Sequence, residues 1–166
     1  MIIKFNHILL TGKPCTINED FKPAMELFCR YLEIVGCSAL VNSAYREDSK
    51  SIKGAIVTPS KISNHFVGHA IDCNIYDKSN TIWTSNMLEI FVKESPKYNA
   101  TTNNEVLQLI NLVRRSTSLR WGGDFHAWDT VHFDDGMNIH NMNKWNEIYK
   151  ELHANPIKDV PGKASS

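Results

Sequence analysis

The sequence carries no surplus of charge, since 18 basic residues are balanced by 18 acidic residues in a chain of 166 residues. Recognition of nucleic acid or of an anionic membrane through overall charge requires a basic surface, which this composition does not provide. No apolar run approaches the length of a membrane span. We therefore expect a soluble protein with no nucleic-acid partner and no membrane span.

The chain also lacks a secretory signal pattern. Its first ten residues are apolar, but Lys4, Asn6 and His7 interrupt them, and no small-residue cleavage site follows. A signal peptide requires an unbroken apolar stretch before such a site. We expect the protein to be made in the cytoplasm, so any work outside the cell would require a separate delivery route.

The four cysteines form no Cys-x-x-Cys pair, which excludes the spacing of a zinc finger or a redox motif. Cys73 falls on the apolar face of a predicted strand, and Cys29 lies within a predicted helix. Reduced, buried thiols are therefore expected, and a disulfide between Cys29 and Cys37 is the less favoured alternative.

The length and the 42% of hydrophobic residues fit one globular domain with a substantial core. We place this domain at residues 1–154. The remaining residues, 155–166, contain Pro156, Pro161 and Gly162, and we expect them to form a disordered tail.

Apolar residues recur at helical spacing in four segments, which predicts helices over 20–35, 82–92, 105–117 and 140–152. Two other segments, 38–45 and 68–76, are rich in residues typical of strands. The first of these strands would carry Arg46 at its end. The segment 77–104 gives mixed signals, and its polar part from Asn99 to Asn104 predicts a loop.

A histidine and a carboxylate stand seven residues apart in the stretch from Ser63 to Asp72. His65 would lie in a loop, and Asp72 in the middle of the strand that follows. In a strand, alternate residues face opposite sides. Asp72 therefore points away from the apolar face that contains Ile71 and Cys73.

The stretch from Arg120 to Asp134 repeats this pattern around His132. Alternation places Thr130, His132 and Asp134 on the face opposite Val131 and Phe133. If this strand pairs with the one that carries Asp72, then His65, Asp72 and His132 offer two imidazoles and one carboxylate to a catalytic zinc that keeps its fourth position open. Asp129 lies three residues before His132, close enough to accept a proton from water at that position.

Three motifs occur in a characteristic order. They are Ser43-Ala44-Tyr45-Arg46, then Ser63-x-His65-x-x-Gly68-x-Ala70-x-Asp72, and finally Trp121-Gly122-Gly123-Asp124 followed by Asp129-x-x-His132-Phe133. In this order they resemble the zinc D-Ala-D-Ala carboxypeptidase and L-alanyl-D-glutamate endopeptidase family, a VanY-like group that includes many phage endolysins. The similarity spans roughly residues 38 to 134.

The resemblance implies a role for each matched residue. His65, Asp72 and His132 would bind one zinc ion per chain, and Asp129 would be the general base. Arg46 and Ser63 would hold carboxylate or carbonyl groups of the substrate, a task for which the planar fork of arginine is well suited. His69 fills a variable position of the motif, and the segment 77–104 is longer than the usual connection, which puts substrate specificity in question.

The resemblance also implies the fold and the substrate. We expect an α+β domain of the Hedgehog and DD-peptidase type, with a small antiparallel sheet, helices on its apolar face and the metal on the other. The substrate would be the stem peptide of bacterial peptidoglycan, cut at L-Ala-D-Glu or at D-Ala-D-Ala by a monomer. Delivery to the cell wall would follow phage-type lysis or another export route.

Two other classes of function stay open. A binding module could hold peptidoglycan without cutting it, although it would have no need of Asp129. A metal-dependent nuclease or phosphoesterase would also use histidine and aspartate ligands, but it usually has more carboxylates and a basic groove.

Several residues near the motifs are given structural roles. The remaining histidines are assigned to the core or the surface, and among them only His126, which lies in the loop before Asp129, is considered for a substrate contact. Asp124 and Asp134 could each support the metal ligands or be solvated carboxylates, and for Asp134 we favour the solvated alternative. Gly122 and Gly123 predict a tight turn that requires positive φ, and the resemblance suggests that this turn also shapes the cleft.

Overall fold

A computed structural model describes residues 1–47, 61–94 and 103–154 of the chain. The described part is an α+β fold with helices packed against a mostly antiparallel sheet, which confirms the predicted fold class. The predicted tail at 155–166, and residues 99–102 of the loop predicted at 99–104, lie outside the described residues. Over the described ranges, no helix is both long enough and apolar enough to cross a membrane.

The strands of the described chain form two sheets. The strands are β1 (Ile2–Phe5), β2 (Leu10–Gly12), β3 (Cys15–Asn18), β4 (Ser38–Ser43), β5 (Ala70–Tyr76), β6 (Ile82–Trp83), β7 (Arg120–Trp121) and β8 (His132–Asp134). β1 pairs with β3 in a small antiparallel sheet, and the larger sheet has the order β2-β4-β5-β8-β7. β6 pairs with the end of β5, and the β2–β4 pair is parallel, a feature that the sequence did not predict.

Strand β5 is the centre of the larger sheet and alternates as its sequence predicts. Ile71, Cys73 and Ile75 are buried, whereas Asp72 and Asn74 are partly accessible on the opposite face. β5 pairs with β4 along one edge, and with β8 and β6 along the other. The strand therefore presents Asp72 on the side of the sheet away from the main core.

The helices of the described chain are α1 (Lys22–Val35), α2 (Ser85–Glu94), α3 (Glu105–Arg115), α4 (Met137–His140) and α5 (Met142–Ala154). α1 and α3 contribute Phe28, Leu32 and Leu109 to the core cluster that contains the apolar face of β5. Phe28 also packs on Phe133 of β8, with ring centroids 4.8 Å apart. Burial of these apolar side chains holds the sheet against α1 and α3 and leaves its other face for polar residues.

A second, smaller apolar cluster lies around α5. Trp145 and Ile148 of this helix pack with Phe66 and Val67, which belong to the short 3-10 turn Asn64–Val67. His153, near the end of α5, donates a hydrogen bond from Nε2 to the carbonyl oxygen of Phe66 at 2.7 Å. α5 therefore holds the segment that precedes β5.

All four cysteines are buried and free, so the predicted reduced thiols are found and the alternative Cys29–Cys37 bridge is absent. Burial raises the pKa of the Cys15 thiol to about 11 and that of Cys29 to about 12. A thiol protonated at neutral pH is a poor nucleophile and a poor metal ligand. The cysteines are therefore structural residues of the core.

Candidate metal centre

The pairing of β5 with β8 places Asp72 directly opposite His132. Residues opposite each other in an antiparallel pair present their side chains on the same face of the sheet. The predicted common surface for these two residues is therefore present in the structure. It lies on the face of the sheet that α1 does not cover.

His65 reaches the same face from the 3-10 turn Asn64–Val67. The Ser63 hydroxyl accepts a hydrogen bond from the backbone N–H of His65 at 3.3 Å and caps the start of this turn. The turn ends at Gly68, and the chain then enters β5. A local cap and the packing of Phe66 against α5 thus direct the His65 imidazole towards Asp72.

The three side chains meet in a nearly equilateral triangle of atoms. His65 Nε2 lies 3.0 Å from Asp72 Oδ1 and 3.2 Å from His132 Nδ1, and His132 Nδ1 lies 3.2 Å from Asp72 Oδ1. Within the described residues, this is the one group of histidine, cysteine or acidic side chains that could hold a metal ion.

In each histidine, one ring nitrogen points away from the triangle, and the hydrogen bond of that nitrogen determines whether the other carries a lone pair. His65 Nδ1 lies 2.7 Å from the carbonyl oxygen of Ala44, which can only accept, so Nδ1 carries the hydrogen. His132 Nε2 lies 2.8 Å from Asp134 Oδ2 and donates to this carboxylate. In the neutral imidazoles, the lone pairs of His65 Nε2 and His132 Nδ1 therefore both point into the triangle.

This donor set fits a zinc ion. Two imidazole lone pairs and a carboxylate oxygen repel one another at such short distances unless a cation or a proton lies between them. Tetrahedral zinc with bonds of about 2.0 Å separates its ligand atoms by about 3.3 Å, within a few tenths of an ångström of the triangle. Three protein ligands are also the number found where a catalytic zinc keeps one position open.

The triangle has unusual protonation equilibria in the metal-free protein. Burial lowers the pKa of His65. Burial would also lower the pKa of His132, but its hydrogen bonds to Asp134 and Asp72 outweigh this and raise the pKa to about 10. Burial alone would raise the pKa of Asp72, yet the two histidines hold it well below its usual range. A proton on His132 thus partly replaces a cation in the metal-free protein.

Asp129 lies beside the triangle without being part of it. Its Oδ2 is 4.0 Å from His132 Nδ1, and 28% of its side chain is exposed. Burial and the neighbouring Asp72 raise the pKa of the Asp129 carboxyl. A carboxylate with a raised pKa beside a candidate metal site is suited to take up a proton and later release it.

Arg46 also belongs to the centre. Its Nη2 donates to Asp72 Oδ2, its Nε donates to Ser43 Oγ at 2.7 Å, and 9% of its side chain is exposed. The guanidinium thus holds one carboxylate oxygen of Asp72 while the other faces the histidines. The substrate contacts predicted for Arg46 and Ser63 stay predictions.

The expectation of a solvated Asp134 is wrong. This side chain is only 2% exposed and accepts hydrogen bonds from five donors, which are His132 Nε2, Arg120 Nε and Nη2, Asn64 Nδ2 and the backbone N–H of Gly136. Burial would raise its pKa, but the hydrogen bonds from His132 and Arg120 hold it well below the usual range. Asp134 therefore stays ionised inside the protein.

Sequence reasoning favoured the wrong alternative for Asp134 and missed the roles of Arg120 and Asn64. One signal was present, since Asp134 follows His132 by two residues and so lies on the same face of its strand. Arg120 lies opposite Asp134 across the β7–β8 pair, and Asn64 comes from a turn 70 residues earlier in the chain. No local pattern could join these two side chains to Asp134.

The turn at Gly122 and Gly123 also differs from expectation, because neither glycine has positive φ. They begin the 3-10 turn Gly122–Asp124 and are needed for close packing instead. A Cβ atom on Gly122 would lie 2.2 Å from the carbonyl oxygen of Asp129 and 2.8 Å from His132 Cβ. Gly122 therefore lets two backbone segments of the centre approach each other.

The histidines outside the triangle have varied surroundings. His69 is buried, and its Nδ1 lies 2.6 Å from Asp135 Oδ2, whereas His126 is exposed in the loop before Asp129. Asp124 forms a surface pair with Arg114, with donor–acceptor distances of 2.7 and 2.8 Å. The substrate contact considered for His126 stays a prediction.

Comparison with known proteins shows what this part of the chain is similar to. A family model described as D-alanyl-D-alanine carboxypeptidase matches residues 57–135. This range includes the three residues of the triangle, His65, Asp72 and His132, and also Asp129. The resemblance predicted from the motifs is thereby confirmed. Among solved structures, the L-Ala D-Glu endopeptidase ChiX of Serratia marcescens matches with 16% sequence identity and a TM-score of 0.42, over 74% of this chain and 82% of that one. No curated protein sequence matches the chain.

Proposed function

Because residues 57–135 match the D-alanyl-D-alanine carboxypeptidase family and hold the His65–Asp72–His132 triangle, we propose that this chain is a zinc-dependent peptidase that hydrolyses the stem peptide of bacterial peptidoglycan. The observation that carries the proposal is the triangle itself. Two lone pairs and a carboxylate oxygen converge at 3.0–3.2 Å, and a further carboxylate lies next to them.

His65, Asp72 and His132 would hold one zinc ion. When bound, zinc acts as a Lewis acid that polarises a scissile carbonyl and lowers the pKa of water towards neutrality. The proton of the attacking water is transferred by a side chain of the protein. Asp129 accepts it from the attacking water and returns it to the leaving amine, so that the amide nitrogen departs as a neutral amine.

Arg46 and Ser63 are proposed to contact the substrate. The guanidinium of Arg46 already reaches the Asp72 carboxylate, so a substrate carbonyl or carboxylate bound near the triangle would meet a fixed positive charge. Ser63 lies two residues before His65 in the same turn. Substitution of Arg46 by Lys would keep the charge but lose the fork geometry, and we expect it to raise KM for stem peptides.

The first experiment separates the proposal from its alternatives. Purified protein is incubated with peptidoglycan and with DNA, each with and without a chelator. The proposal requires release of peptide fragments that stops with the chelator and returns with zinc. Binding to peptidoglycan without release would indicate a binding module, and cleavage of DNA would indicate a nuclease.

Variants of the centre then test the assigned roles. Asp129→Ala should keep zinc bound and lose hydrolysis, because it removes the proton acceptor and leaves the ligands intact. His132→Ala should lose both zinc and hydrolysis. Hydrolysis that survives in either variant contradicts the scheme.

The bond that is cut decides between the two activities of the family. Mass spectrometry of fragments released from muropeptides distinguishes them, because a carboxypeptidase removes only the terminal D-alanine. An L-Ala-D-Glu endopeptidase instead cleaves the bond between L-alanine and D-glutamate, so it releases the part of the stem peptide that begins with D-glutamate. A role as a compact phage-type endolysin, which acts as a monomer on the cell wall after its release in phage-type lysis, completes the proposal.

A further inference from the structure

Asp134 is the most heavily hydrogen-bonded side chain around the triangle, although neither the motifs nor the resemblance assigned it a role. Five donors converge on its two oxygens. An ionised carboxylate has about four lone-pair sites and no hydrogen to donate. Asp134 is therefore an acceptor only, and any polar hydrogen near it must belong to its partner.

This property acts directly on His132. Because Asp134 Oδ2 can only accept, His132 Nε2, at 2.8 Å, must carry a hydrogen. The other ring nitrogen, Nδ1, is then the one available to a metal, and it is the atom that lies 3.2 Å from both His65 Nε2 and Asp72 Oδ1. The carboxylate thus selects which nitrogen of His132 faces the triangle.

Asp134 itself is held from two sides. Arg120 of β7 donates through Nε at 2.7 Å and through Nη2 at 2.8 Å, in a bidentate pair. The guanidinium of Arg120 lies 4.6 Å from the Phe125 ring centroid, and Phe125 packs on the His132 ring at 5.5 Å. The imidazole is therefore bounded both by the Asp134 carboxylate and by the aromatic ring that Arg120 covers.

The same carboxylate is linked to the segment that carries His65. Asn64, the residue before His65, is buried and donates from Nδ2 to Asp134 Oδ2 at 3.0 Å. Its side-chain oxygen accepts the backbone N–H of Asn138 at 3.0 Å, which fixes the orientation of the amide. Asp134 is thus joined to His132 directly and to the His65 turn through one side chain.

We propose that Asp134, held by Arg120 and Asn64, is a positioning residue of the metal centre that orients His132 with Nδ1 towards the metal and couples this histidine to the turn of His65. The inference rests on the proposed function only in taking zinc as the metal. Of the three residues of the triangle, Asp134 forms a hydrogen bond with His132, so its effect on the metal passes through this histidine.

The test compares two aspartates in matching ion pairs. Asp134→Asn replaces one acceptor oxygen by an amide NH2 group, a donor that faces the same donors, and Asp124→Asn makes the same change in the surface pair with Arg114. Zinc affinity is measured by competition with a chromophoric chelator, without substrate. We expect Asp134→Asn to weaken zinc binding by about 10–100-fold and Asp124→Asn to leave it unchanged.

A second readout reports the geometry itself. In protein labelled with 15N at histidine and loaded with 113Cd in place of zinc, coupling between metal and nitrogen identifies each ligand atom. The parent protein should show coupling to His132 Nδ1 and His65 Nε2. In Asp134→Asn the coupling to His132 Nδ1 should weaken or vanish, while that to His65 Nε2 persists.

The outcomes separate this inference from the proposed function. If Asp134→Asn binds zinc as tightly as the parent protein with unchanged couplings, or if Asp124→Asn loses as much affinity, the positioning role is refuted. If the parent protein binds zinc and depends on Asp134 yet cleaves no stem peptide, the proposed function fails and the positioning role stands.

Discussion

Substitution of Gly122 by Ala is a direct test of how closely the two segments of the metal centre approach each other. The added Cβ would lie 2.2 Å from the carbonyl oxygen of Asp129, whereas an ordinary contact needs at least 3.4 Å. The Asp129 peptide would have to retreat by about 1.2 Å. That carbonyl also accepts the backbone N–H of His132 at 3.1 Å, so the displacement is passed on to a proposed ligand.

The expected cost has two parts. Overpacking of a closely packed site costs about 1–3 kcal/mol. Retreat of Asp129 also breaks the hydrogen bond from its backbone N–H to the carbonyl oxygen of Gly122, which has a length of 2.9 Å and contributes about 1 kcal/mol. We therefore expect Gly122→Ala to lower the free energy of unfolding by about 2–4 kcal/mol.

Gly36→Ala is the control. Gly36 ends α1 with φ of 77°, and a Cβ atom there would meet only the flexible side chain of Lys78 among its nearest neighbours. The left-handed backbone makes alanine cost about 1–2 kcal/mol at this position, without a direct effect on the centre. Both variants should thus lose stability, but only Gly122→Ala should lose function.

Urea unfolding, zinc affinity and hydrolysis of stem peptides are measured for both variants. A misplacement of about 1 Å at a reacting site lowers the rate by about 100-fold, and we expect a loss of that order for Gly122→Ala. If Gly122→Ala is no less stable than Gly36→Ala and binds zinc equally well, the two backbone segments are not in the close contact described above, and the reasoning is refuted.

Three further predictions concern protonation and the support of the His65 turn. In metal-free protein the pKa of His132 is raised from 6.5 to about 10, so the contribution of its protonated form to stability is fully present below pH 6.5 and is lost as the pH rises to about 10. Urea unfolding with chelator should show this decline in the free energy of unfolding, and a flat pH profile would contradict it. Zinc binding at pH 7 should displace about one proton, the one on His132, because a histidine that binds a metal must be neutral. Calorimetry in buffers of different ionisation enthalpy measures this proton, and zero release would mean that His132 is already neutral. His153→Ala removes the hydrogen bond to the Phe66 carbonyl, so it should cost about 1 kcal/mol of stability and weaken zinc binding. Lys144→Ala, a change at an exposed position of the same helix, should leave zinc binding unaltered. Equal zinc affinity in the two variants would contradict a role of α5 in holding the turn.

Several helices could be predicted from the sequence with small errors at their ends. The predicted helix at 20–35 is observed as a 3-10 turn followed by Lys22–Val35, and that at 105–117 is observed as Glu105–Arg115. Apolar periodicity is a local property, so it determines these elements well. The predicted helix at 82–92 instead begins with the short strand Ile82–Trp83, because these residues pair with Ile75 and Tyr76 across a turn.

For the site, the sequence by itself determined which residue types are available and on which face of a strand they lie. Alternation placed Asp72 away from the apolar face and placed His132 together with Asp134, since the side-chain period of a strand is a local property. Motif order nominated His65, Asp72, Asp129 and His132 as a group, and all four positions lie within the matched range 57–135.

Only the tertiary structure decided how these side chains meet. The choice of Nε2 for His65 and Nδ1 for His132 depends on Ala44 and Asp134, and the burial of Asp134 depends on Arg120 and Asn64 from separate parts of the chain. Hydrogen-bond partners and desolvation are set by the three-dimensional surroundings, to which residues distant in sequence contribute as much as neighbours do. A pattern in the chain can therefore nominate a ligand, but the packed structure determines which of its atoms faces the metal.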